Sequence, residues 1–486
     1  MRTNRQTRCT GQSLRWHIVS IVFLATLFFS SNVGAEERGA RIYGNFIQPW
    51  LCVTWSDDQW NHEFETMKSL GIEAVILGYS ASYQQDLSLW ETYYPSRLPD
   101  TLMVANVLES LFHHAKNHGF KVYVGSEIHH DWWNWNLATQ RDAKKFLDAM
   151  TLSAAFLREI YEIYHPRYPE VFVGFFCTFE IWNHADWNQK ELREFHADHL
   201  SQGFNALIEA LDTVAPDLPL LFSPFSTAFG FASLDNTREF YLTFLEKTRF
   251  RQQDGMLPMD NIGGGGQMLN TVQDWSKMYA EVIKLSGNKL KVYANVENFV
   301  KPHHIGTRGQ YPIHNFQDDY IGSMTLGRFI RQIEIAEMHA TKIFVFSISH
   351  YYSPVNNIEG FHRALLRYFQ TGERDDEFPV APQTVSFGSH NMETSNEMHI
   401  TWEGASDNNG IARVHLYKDD RLHAMSWAVR RDGGSGIAEP TFFCLPNFQD
   451  NGADYRLGII DVWGNETLTP TFKVFQDGGQ VEFTRK

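Results

Sequence analysis

The chain has 486 residues, with 42 Lys and Arg against 57 Asp and Glu, so its formal net charge is −15 at pH 7. This acidic balance argues against nucleic acid and anionic membrane surfaces as partners, because like charges repel. Neutral glycans fit the charge better. A chain of this length is expected to fold as two or more domains.

The first 35 residues have the three-part composition of a secretory signal peptide. Four arginines and no acids accompany the apolar run 18–29, and small residues lead to Ala35. An uncleaved membrane anchor is the alternative, although the run falls short of the ~20 residues that a span needs. We predict that the mature chain is exported to the periplasm or the extracellular space, as a monomer without a membrane span.

Eight apolar runs alternate with helical stretches between residues 44 and 370. Runs so continuous in Val, Ile and Phe are typical of strands that are buried on both faces. With right-handed crossovers, eight such repeats predict an α/β fold, a (β/α)8 TIM barrel over residues 36–375. The runs begin at Gly44, Ile72, Lys121, Val171, Pro219, Gly255, Lys291 and Lys342.

The stretches between these runs carry helix start and stop signals. Ser56 and Gln59 form a predicted capping box, and Gly71 ends the first helix. A second helix is predicted to begin near Asp100 and to end before Gly119. The remaining predicted helices are 141–164, 189–211, 233–247, 271–285, 325–339 and 358–369.

Short alternating segments replace this pattern after a boundary between residues 372 and 382. Turn clusters at 407–410 and 432–436 separate them. Evenly spaced short strands predict a small all-β sandwich of immunoglobulin or fibronectin type over residues 380–486. No long linker precedes it, so we expect it to pack on the barrel.

The four cysteines allow little cross-linking in an exported protein. Cys9 belongs to the predicted signal peptide, and Cys52, Cys177 and Cys444 lie far apart in sequence. One disulfide is possible, and the lack of a C-x-x-C pair argues against a metal knuckle. We predict no cofactor and no metal.

Two glutamates stand at the carboxyl ends of predicted strands. Glu180 ends the fourth strand and Glu297 the seventh, so both side chains are expected at the barrel mouth, where such folds keep their chemistry. Cleavage of a glycosidic bond needs a carboxylic acid and a carboxylate on opposite sides of that bond. The pair therefore predicts a secreted glycoside hydrolase acting on a poly- or oligosaccharide.

The neighbours of the two glutamates suggest their roles. Phe179 and Trp182 surround Glu180 with apolar groups, which tend to raise a carboxyl pKa and suit a general acid/base. Hydrogen-bond donors such as Asn295 next to Glu297 would keep a nucleophilic carboxylate ionised.

This layout resembles the four-seven superfamily of retaining TIM-barrel glycosidases, over roughly residues 41 to 370. The resemblance implies a retaining mechanism with Glu180 as acid/base and Glu297 as nucleophile. That superfamily usually has Asn directly before the strand-four glutamate, and this chain has Phe179 there.

The opening segment 44–50, together with Trp60 and 67–72, is similar to a bacterial family of glycosidase-like barrels that is labelled as a domain of unknown function. Members of that family often carry a C-terminal sandwich. The resemblance implies the fold and leaves the substrate open.

Other residues at the same end of the barrel are candidates for the site. Glu127 and Asp260 end the third and sixth strands and could replace Glu297 as partner of Glu180; pairing with a basic residue is the structural alternative. Aromatic rings stack on sugars while polar groups bind the hydroxyls, although half of the tryptophans could instead form local cores. The predicted substrate-binding residues are Gln48, Trp50, Tyr79, Glu127, His129, Trp132, Trp182, Asp260, Gln267, Asn295, His350 and Tyr351.

Three further sequence patterns bear on ligand binding. The glycine run 263–266 lacks the residues of a phosphate loop and instead indicates close backbone approach to a ligand. A metal-assisted hydrolase using Asp260, His129 and His303 has no supporting ligand spacing. Lys301 could bind a carboxylate or sulfate.

The alternative to an enzyme is a non-catalytic carbohydrate-binding protein on a barrel scaffold.

Overall fold

The computed structural model describes residues 42–287, 289–301, 322–392, 395–427, 429–430, 437–438, 440, 442–446, 452–475 and 477–483. The predicted signal peptide, 1–35, and Cys9 lie outside these residues.

Short strands and longer helices alternate through the first part of the chain, as predicted. The strands are β1 (Gly44–Ile47), β2 (Ala74–Leu77), β3 (Ala81–Gln84), β4 (Leu89–Thr92), β5 (Thr101–Met103), β6 (Lys121–Gly125), β7 (Glu127–Ile128), β8 (Phe172–Cys177), β9 (Leu220–Phe222), β10 (Gly255–Met256), β11 (Lys291–Val292), β12 (Ala294–Glu297), β13 (Phe299–Val300), β14 (Gly322–Ser323) and β15 (Ile343–Phe346). The helices are α1 (Asp57–Ser69), α2 (Val107–His118), α3 (Gln140–Tyr164), α4 (Lys190–Asp212), α5 (Leu234–Lys247), α6 (Val272–Leu285), α7 (Leu326–Glu337), α8 (Ile348–Tyr351) and α9 (Glu359–Thr371).

Nine of the described strands form one parallel sheet in the order β11-β10-β9-β8-β6-β2-β1-β15-β12. Only Tyr293 separates β11 from β12, so these two are successive parts of the seventh barrel strand. β11 pairs with β10 at one end of the order and β12 pairs with β15 at the other. The sheet therefore closes on itself, and the predicted (β/α)8 barrel is confirmed.

Side chains that alternate along the strands fill the barrel interior. Phe46, Tyr123, Phe176 and Phe344 belong to this inner cluster. The opposite strand faces pack against the helices in a separate, larger core. This alternation determines which residues beyond the strand ends face the mouth of the barrel.

The start of the second helix differs from the prediction. The helix begins at Val107, and the preceding residues form β5, which pairs with β4 in a small sheet beside the barrel. Asp100 adopts a left-handed backbone conformation with φ 54°, which a helix start does not use. Strand pairing determines this segment, and the local sequence pattern does not reveal that pairing.

The C-terminal part contains two four-stranded antiparallel sheets, as expected of a sandwich. One has the order β22-β17-β16-β25 and the other β19-β18-β23-β24. In chain order the strands are β16 (Thr384–Met392), β17 (Ser395–Glu403), β18 (Ile411–Lys418), β19 (Arg421–Trp427), β20 (Val429–Arg430), β21 (Ile437–Ala438), β22 (Phe442–Pro446), β23 (Tyr455–Asp461), β24 (Glu466–Leu468) and β25 (Gly479–Glu482). Side chains from both sheets share one core.

The sandwich packs directly on helices of the barrel. The Leu326 N–H at the start of α7 donates to the Val462 carbonyl over 2.8 Å. The Trp463 ring meets Tyr368 of α9 with centroids 5.8 Å apart. Backbone hydrogen bonds and aromatic packing thus join the two parts.

Both cysteines whose side chains are described are free thiols. Cys52 and Cys177 are buried and unpaired. The disulfide that the sequence allowed therefore includes neither Cys52 nor Cys177; the side chain of Cys444 lies outside the described residues.

None of the helices in the described part of the chain combines the length and the hydropathy that a bilayer span requires.

Candidate active site

A cleft of about 530 Å³ lies at the carboxyl ends of the barrel strands. Glu180 and Glu297 both line it, although 117 positions separate them in the sequence. Strands four and seven lie on different sides of the barrel, and closure of the sheet turns their ends toward the same space. The structure thus brings the two predicted catalytic residues together.

Glu180 follows β8 and continues its inward-facing alternation, four residues after Phe176 of the barrel interior. The Trp132 indole N–H donates to the Glu180 carbonyl over 2.8 Å and holds this segment. Loss of hydration raises the pKa of the Glu180 carboxyl to about 7, against the opposing effects of a hydrogen bond from Trp133 and the positive charge of Lys301. The group can therefore carry a proton near neutral pH.

Glu297 is the last residue of β12 and is buried. Its Oε2 accepts a hydrogen bond of 2.9 Å from the Gly264 N–H. Burial raises the pKa of Glu297, and the nearby carboxyls of Asp260 and Glu180 raise it further, while the N–H groups of Gly264 and Gly263 lower it. Carboxyls this close cannot all be ionised near neutral pH, so the group of acids holds a proton.

Asp260 lies behind Glu297 and supports it from the barrel wall. Its Oδ1 accepts a hydrogen bond of 3.3 Å from the Glu297 backbone N–H, and its Oδ2 accepts one of 2.6 Å from Gln332 of α7. Gln332 also donates to the Glu297 carbonyl over 2.8 Å. Burial raises the pKa of Asp260, and the hydrogen bond from Gln332 opposes that rise.

The glycine run approaches Glu297 closely, as its composition suggested. A Cβ added to Gly263 would lie 2.7 Å from the Phe299 carbonyl oxygen and 3.0 Å from the Glu297 carboxylate. Only a residue without a side chain permits this approach, which places the Gly264 N–H on Glu297.

Glu127 and His129 lie behind the cleft wall and do not line it. The Glu127 carboxylate is completely buried and accepts a 2.8 Å hydrogen bond from Ser153 of α3. Burial raises its pKa to about 8. His129 packs between Trp90 and Trp135, with ring centroids 4.8 and 5.3 Å away, and burial lowers its pKa to about 4.

Trp132 and Trp182 form the layer beneath the cleft. Trp132 is buried, and its ring meets that of Trp182 edge-on, with centroids 5.6 Å apart. Trp182 in turn stacks on Phe225, which does line the cleft, at 6.3 Å. These two tryptophans support a cleft residue rather than contribute to the cleft surface.

An aromatic row leads from the rim toward the cleft. Trp50 is 57% exposed and meets His350 at 5.2 Å, and His350 meets the cleft residue Phe346 at 5.8 Å. Burial lowers the pKa of His350 to about 4, so the ring is neutral. Tyr351 packs behind another cleft residue, Phe299, at 5.6 Å.

The remaining predicted binding residues lie in the barrel wall, where Tyr79, Gln267 and Asn295 are buried and Gln48 is half-buried. The Gln48 Oε1 is buried without a hydrogen-bond partner, and the buried Tyr79 hydroxyl bonds to Tyr93. Gln267 donates to the Ser226 carbonyl and accepts from Thr271, and Asn295 donates to Ser223. None of these four side chains lines the cleft.

Several cleft residues were not among the predicted binding residues. Trp133, Phe225, Phe299 and Phe346 give apolar surface, and Thr227, Asn261 and Lys301 give polar groups. Trp133 belongs to the tryptophan cluster after the third strand and Asn261 follows Asp260 directly, so the sequence pointed to loops that line this cleft. It did not show which neighbour in each loop faces inward, because that depends on packing.

The residues considered for a metal-assisted mechanism do not form a metal site in the described part of the chain. The clusters there that could hold a cation include neither Asp260 nor His129. His303 lies outside the described residues.

Fold and site together define a class: a (β/α)8 barrel with a carboxyl-lined cleft at its mouth, followed by a β-sandwich. The chain belongs to the family described as Domain of unknown function (DUF4434), whose model matches residues 42–358. This agrees with the predicted resemblance to a family of that label, and the link to the four-seven superfamily stays a prediction. No curated protein matches the chain.

Solved structures of carbohydrate-active enzymes show a distant likeness. A candidate alpha-L-fucosidase from Bacteroides thetaiotaomicron is 16% identical, with 68% of this chain and 94% of that chain covered and a TM-score of 0.49. A beta-galactosidase from Marinomonas ef1 is 10% identical, with 63% and 54% covered and a TM-score of 0.40. A Bacteroides uniformis beta-glucuronidase is 11% identical, with 92% and 46% covered and a TM-score of 0.35. The chain spans about half the length of the last two.

Proposed function

We propose that the protein is a retaining glycoside hydrolase that cleaves a glycosidic bond in a poly- or oligosaccharide. Glu180 is the general acid/base and Glu297 the nucleophile. The observation that carries the proposal is the placement of both carboxyl groups on the surface of one cleft at the barrel mouth. Cleavage of an acetal needs two such groups and no cofactor.

The reaction proceeds in two balanced steps. Glu180 donates its proton to the glycosidic oxygen as the C–O bond breaks, and the Glu297 carboxylate forms a bond to the anomeric carbon. The leaving sugar departs as an alcohol. Glu180, now ionised, takes a proton from water as that water attacks the anomeric carbon, which releases Glu297 and returns the proton to Glu180.

The surroundings of each carboxyl support its role. Loss of hydration raises the pKa of Glu180 to about 7, so that the carboxyl can hold the proton that an acid donates. The Gly264 N–H stabilises negative charge on the Glu297 Oε2, as a nucleophile requires. Asp260 bonds to the Glu297 backbone and so orients the end of β12.

The cleft surface suits a sugar substrate. Phe225, Phe299 and Phe346 contribute apolar faces, and the Trp133 ring is 44% exposed beside Glu180. Such rings stack on the C–H faces of sugars, while Asn261 and Thr227 supply polar groups for hydroxyls. We further propose that residues 1–35 direct export, so that the substrate is met outside the cytoplasm.

The test is hydrolysis of a panel of aryl glycosides and neutral polysaccharides by the wild type and by Glu180→Gln and Glu297→Gln. We expect turnover to fall by roughly 10²–10⁴-fold in both variants, while binding of the same glycans is retained. Glu194→Gln, an exposed acid on α4, is the matched control and should keep full activity.

Two outcomes would contradict the proposal. Full activity in either cleft variant would remove that glutamate from the mechanism. Binding of glycans by the wild type without turnover of any panel member would favour a carbohydrate-binding protein on a barrel scaffold.

A further inference from the structure

A cluster of two histidines and one aspartate lies outside the proposed active site. His184 and Asp186 belong to the loop after the fourth barrel strand, and His196 lies on α4. One ligand atom from each of these residues lies within 4.8 Å of the other two. The cluster therefore joins the loop that follows Glu180 to the helix behind it.

The separations between donor atoms match a tetrahedral ion. His184 Nδ1 lies 3.3 Å and His196 Nε2 3.7 Å from the same Asp186 oxygen, Oδ2. Ligand atoms held about 2.0–2.1 Å from a tetrahedral zinc ion are roughly 3.3 Å apart. His196 Nε2 would have to approach that oxygen by about 0.4 Å, and the two imidazole nitrogens lie within 4.8 Å of each other.

A backbone hydrogen bond defines the state of the His184 ring. The Asp186 backbone N–H donates to His184 Nδ1 over 3.2 Å, so this nitrogen carries no proton and its lone pair points to that N–H. A metal ion at His184 Nδ1 would replace this hydrogen bond. The Asp186 Oδ2, 3.3 Å from the same nitrogen, then receives no proton from it and is available to a cation.

His196 adds an independent indication. Its side chain is only 4% exposed, and its Nε2 is buried without a hydrogen-bond partner. An unpaired buried nitrogen is costly, and a metal ion would satisfy it.

There is also room for a fourth ligand. A cavity of about 20 Å³ adjoins the cluster, and both His184 and His196 line it. This volume is enough for one water molecule.

We propose that His184, Asp186 and His196 bind a divalent transition-metal ion of the zinc type, with water as the fourth ligand. Two imidazoles and one carboxylate favour Zn²⁺ over Ca²⁺ or Mg²⁺, which require more oxygen ligands. The ion would be structural, because Trp132 and Trp182 separate the cluster from the Glu180 cleft. It would fasten the loop after strand four to α4.

The experiment uses the full chain without a histidine tag, stripped of metal by a chelator and then dialysed. Zn²⁺ is titrated in by calorimetry, bound zinc is counted by mass spectrometry, and thermal unfolding is recorded. We expect one zinc per chain and a rise in melting temperature of roughly 2–4 °C at saturation. Excess Mg²⁺ or Ca²⁺ should not compete.

Variants assign the site. Asp186→Asn and His184→Gln should bind zinc roughly 100-fold more weakly or worse, as should His196→Gln if that buried change permits folding. His199→Gln, one turn further along α4, is the matched control and should bind as the wild type does. The proposal is overturned if the wild type has no saturable zinc site, or if Asp186→Asn and His184→Gln bind zinc with unchanged affinity.

Discussion

Glu180 and Glu297 line the same cleft, but different neighbouring groups act on their carboxyls. Glu180 faces the Trp133 N–H and the charge of Lys301, whereas Glu297 accepts a backbone N–H and has Asp260 behind it. Burial raises the pKa of Glu180 to about 7 and that of Glu297 to about 8, and repulsion between the two carboxylates favours a single proton on the pair. The proposed mechanism uses the form in which Glu180 carries that proton.

The first prediction is a bell-shaped dependence of kcat/KM on pH. Glu180 must be protonated, so activity should fall as pH rises past about 7, its raised pKa. In the proposed mechanism Glu297 must be ionised, and its pKa, raised to about 8, makes the acid limb overlap the alkaline limb. The bell should therefore be narrow, with only part of the enzyme in the active protonation state at its maximum. Initial rates on an aryl glycoside between pH 4 and pH 9, roughly the range over which these groups titrate, provide the measurement.

Two variants check the assignment of the alkaline limb. Glu180→Gln should lose that limb on a substrate whose leaving group needs no proton. Lys301→Met should move the limb upward, because Lys301 lowers the Glu180 pKa. An alkaline limb that persists in Glu180→Gln would assign the proton to another group.

The second prediction concerns Glu127, whose carboxyl is buried on Ser153. Burial raises its pKa from 4.5 to about 8, so its protonated form stabilises the fold below pH 4.5 and that contribution is lost as pH rises to about 8. Glu127→Gln should remove this loss. The free energy of unfolding of Glu127→Gln minus that of the wild type should therefore be larger at pH 8 than at pH 5, by on the order of 2–4 kcal/mol.

Urea unfolding at both pH values measures this difference, with the exposed Glu65→Gln on α1 as control. Parallel pH dependence in wild type and Glu127→Gln would show that the carboxyl is not held in its protonated form.

At the scale of elements, the loop after β10 and the helix α7 act together on the end of β12. The loop supplies the N–H of Gly264 to the Glu297 carboxylate, and α7 supplies Gln332 to the Glu297 carbonyl. The position of the proposed nucleophile, Glu297, thus depends on two elements besides its own strand.

The third prediction follows from this packing. In Gly263→Ala, the new Cβ would lie 2.7 Å from the Phe299 carbonyl, so the loop must move away from Glu297. We expect kcat to fall by roughly 10–100-fold with the fold retained, because small displacements at a reacting group are costly. Steady-state kinetics and circular dichroism measure the two effects.

Gly388→Ala in β16 is the matched control, because a Cβ there has no neighbour within 4 Å. Equal kcat values for Gly263→Ala and the wild type would show that the Gly264 contact does not position Glu297, the proposed nucleophile, for reaction.

At the scale of the whole molecule, the sandwich braces the barrel through α7 and α9. A Cβ added to Gly360 at the start of α9 would lie 1.5 Å from the Asn409 carbonyl oxygen of the sandwich. The two parts therefore meet with backbone against backbone, which a loosely tethered accessory domain would not require.

The fourth prediction is that Gly360→Ala weakens this junction. The helix and the sandwich turn must separate, which should cost roughly 1–3 kcal/mol of unfolding free energy and lower the melting temperature. Scanning calorimetry should also show the barrel and sandwich transitions moving apart. An unchanged calorimetric profile would show that the junction accommodates the added methyl group without a loss of unfolding free energy.

Much of the fold was predictable because its signals are local. Continuous apolar runs, helix caps such as Ser56 with Gln59, and turn residues act within a few positions of each other, and the structure contains that capping box. Local signals also predicted that Glu180 and Glu297 lie at strand ends and point into the barrel mouth, because the alternation of side chains along a strand can be read from that strand alone.

The tertiary structure decided which of the acids at the barrel mouth face the cleft. Glu127 turns to Ser153, 26 positions away, and Asp260 turns to Gln332, 72 positions away. Trp132 turns inward while its neighbour Trp133 remains exposed. These orientations depend on contacts between distant elements, whose free energies arise only when the barrel closes, so no local pattern in the sequence encodes them.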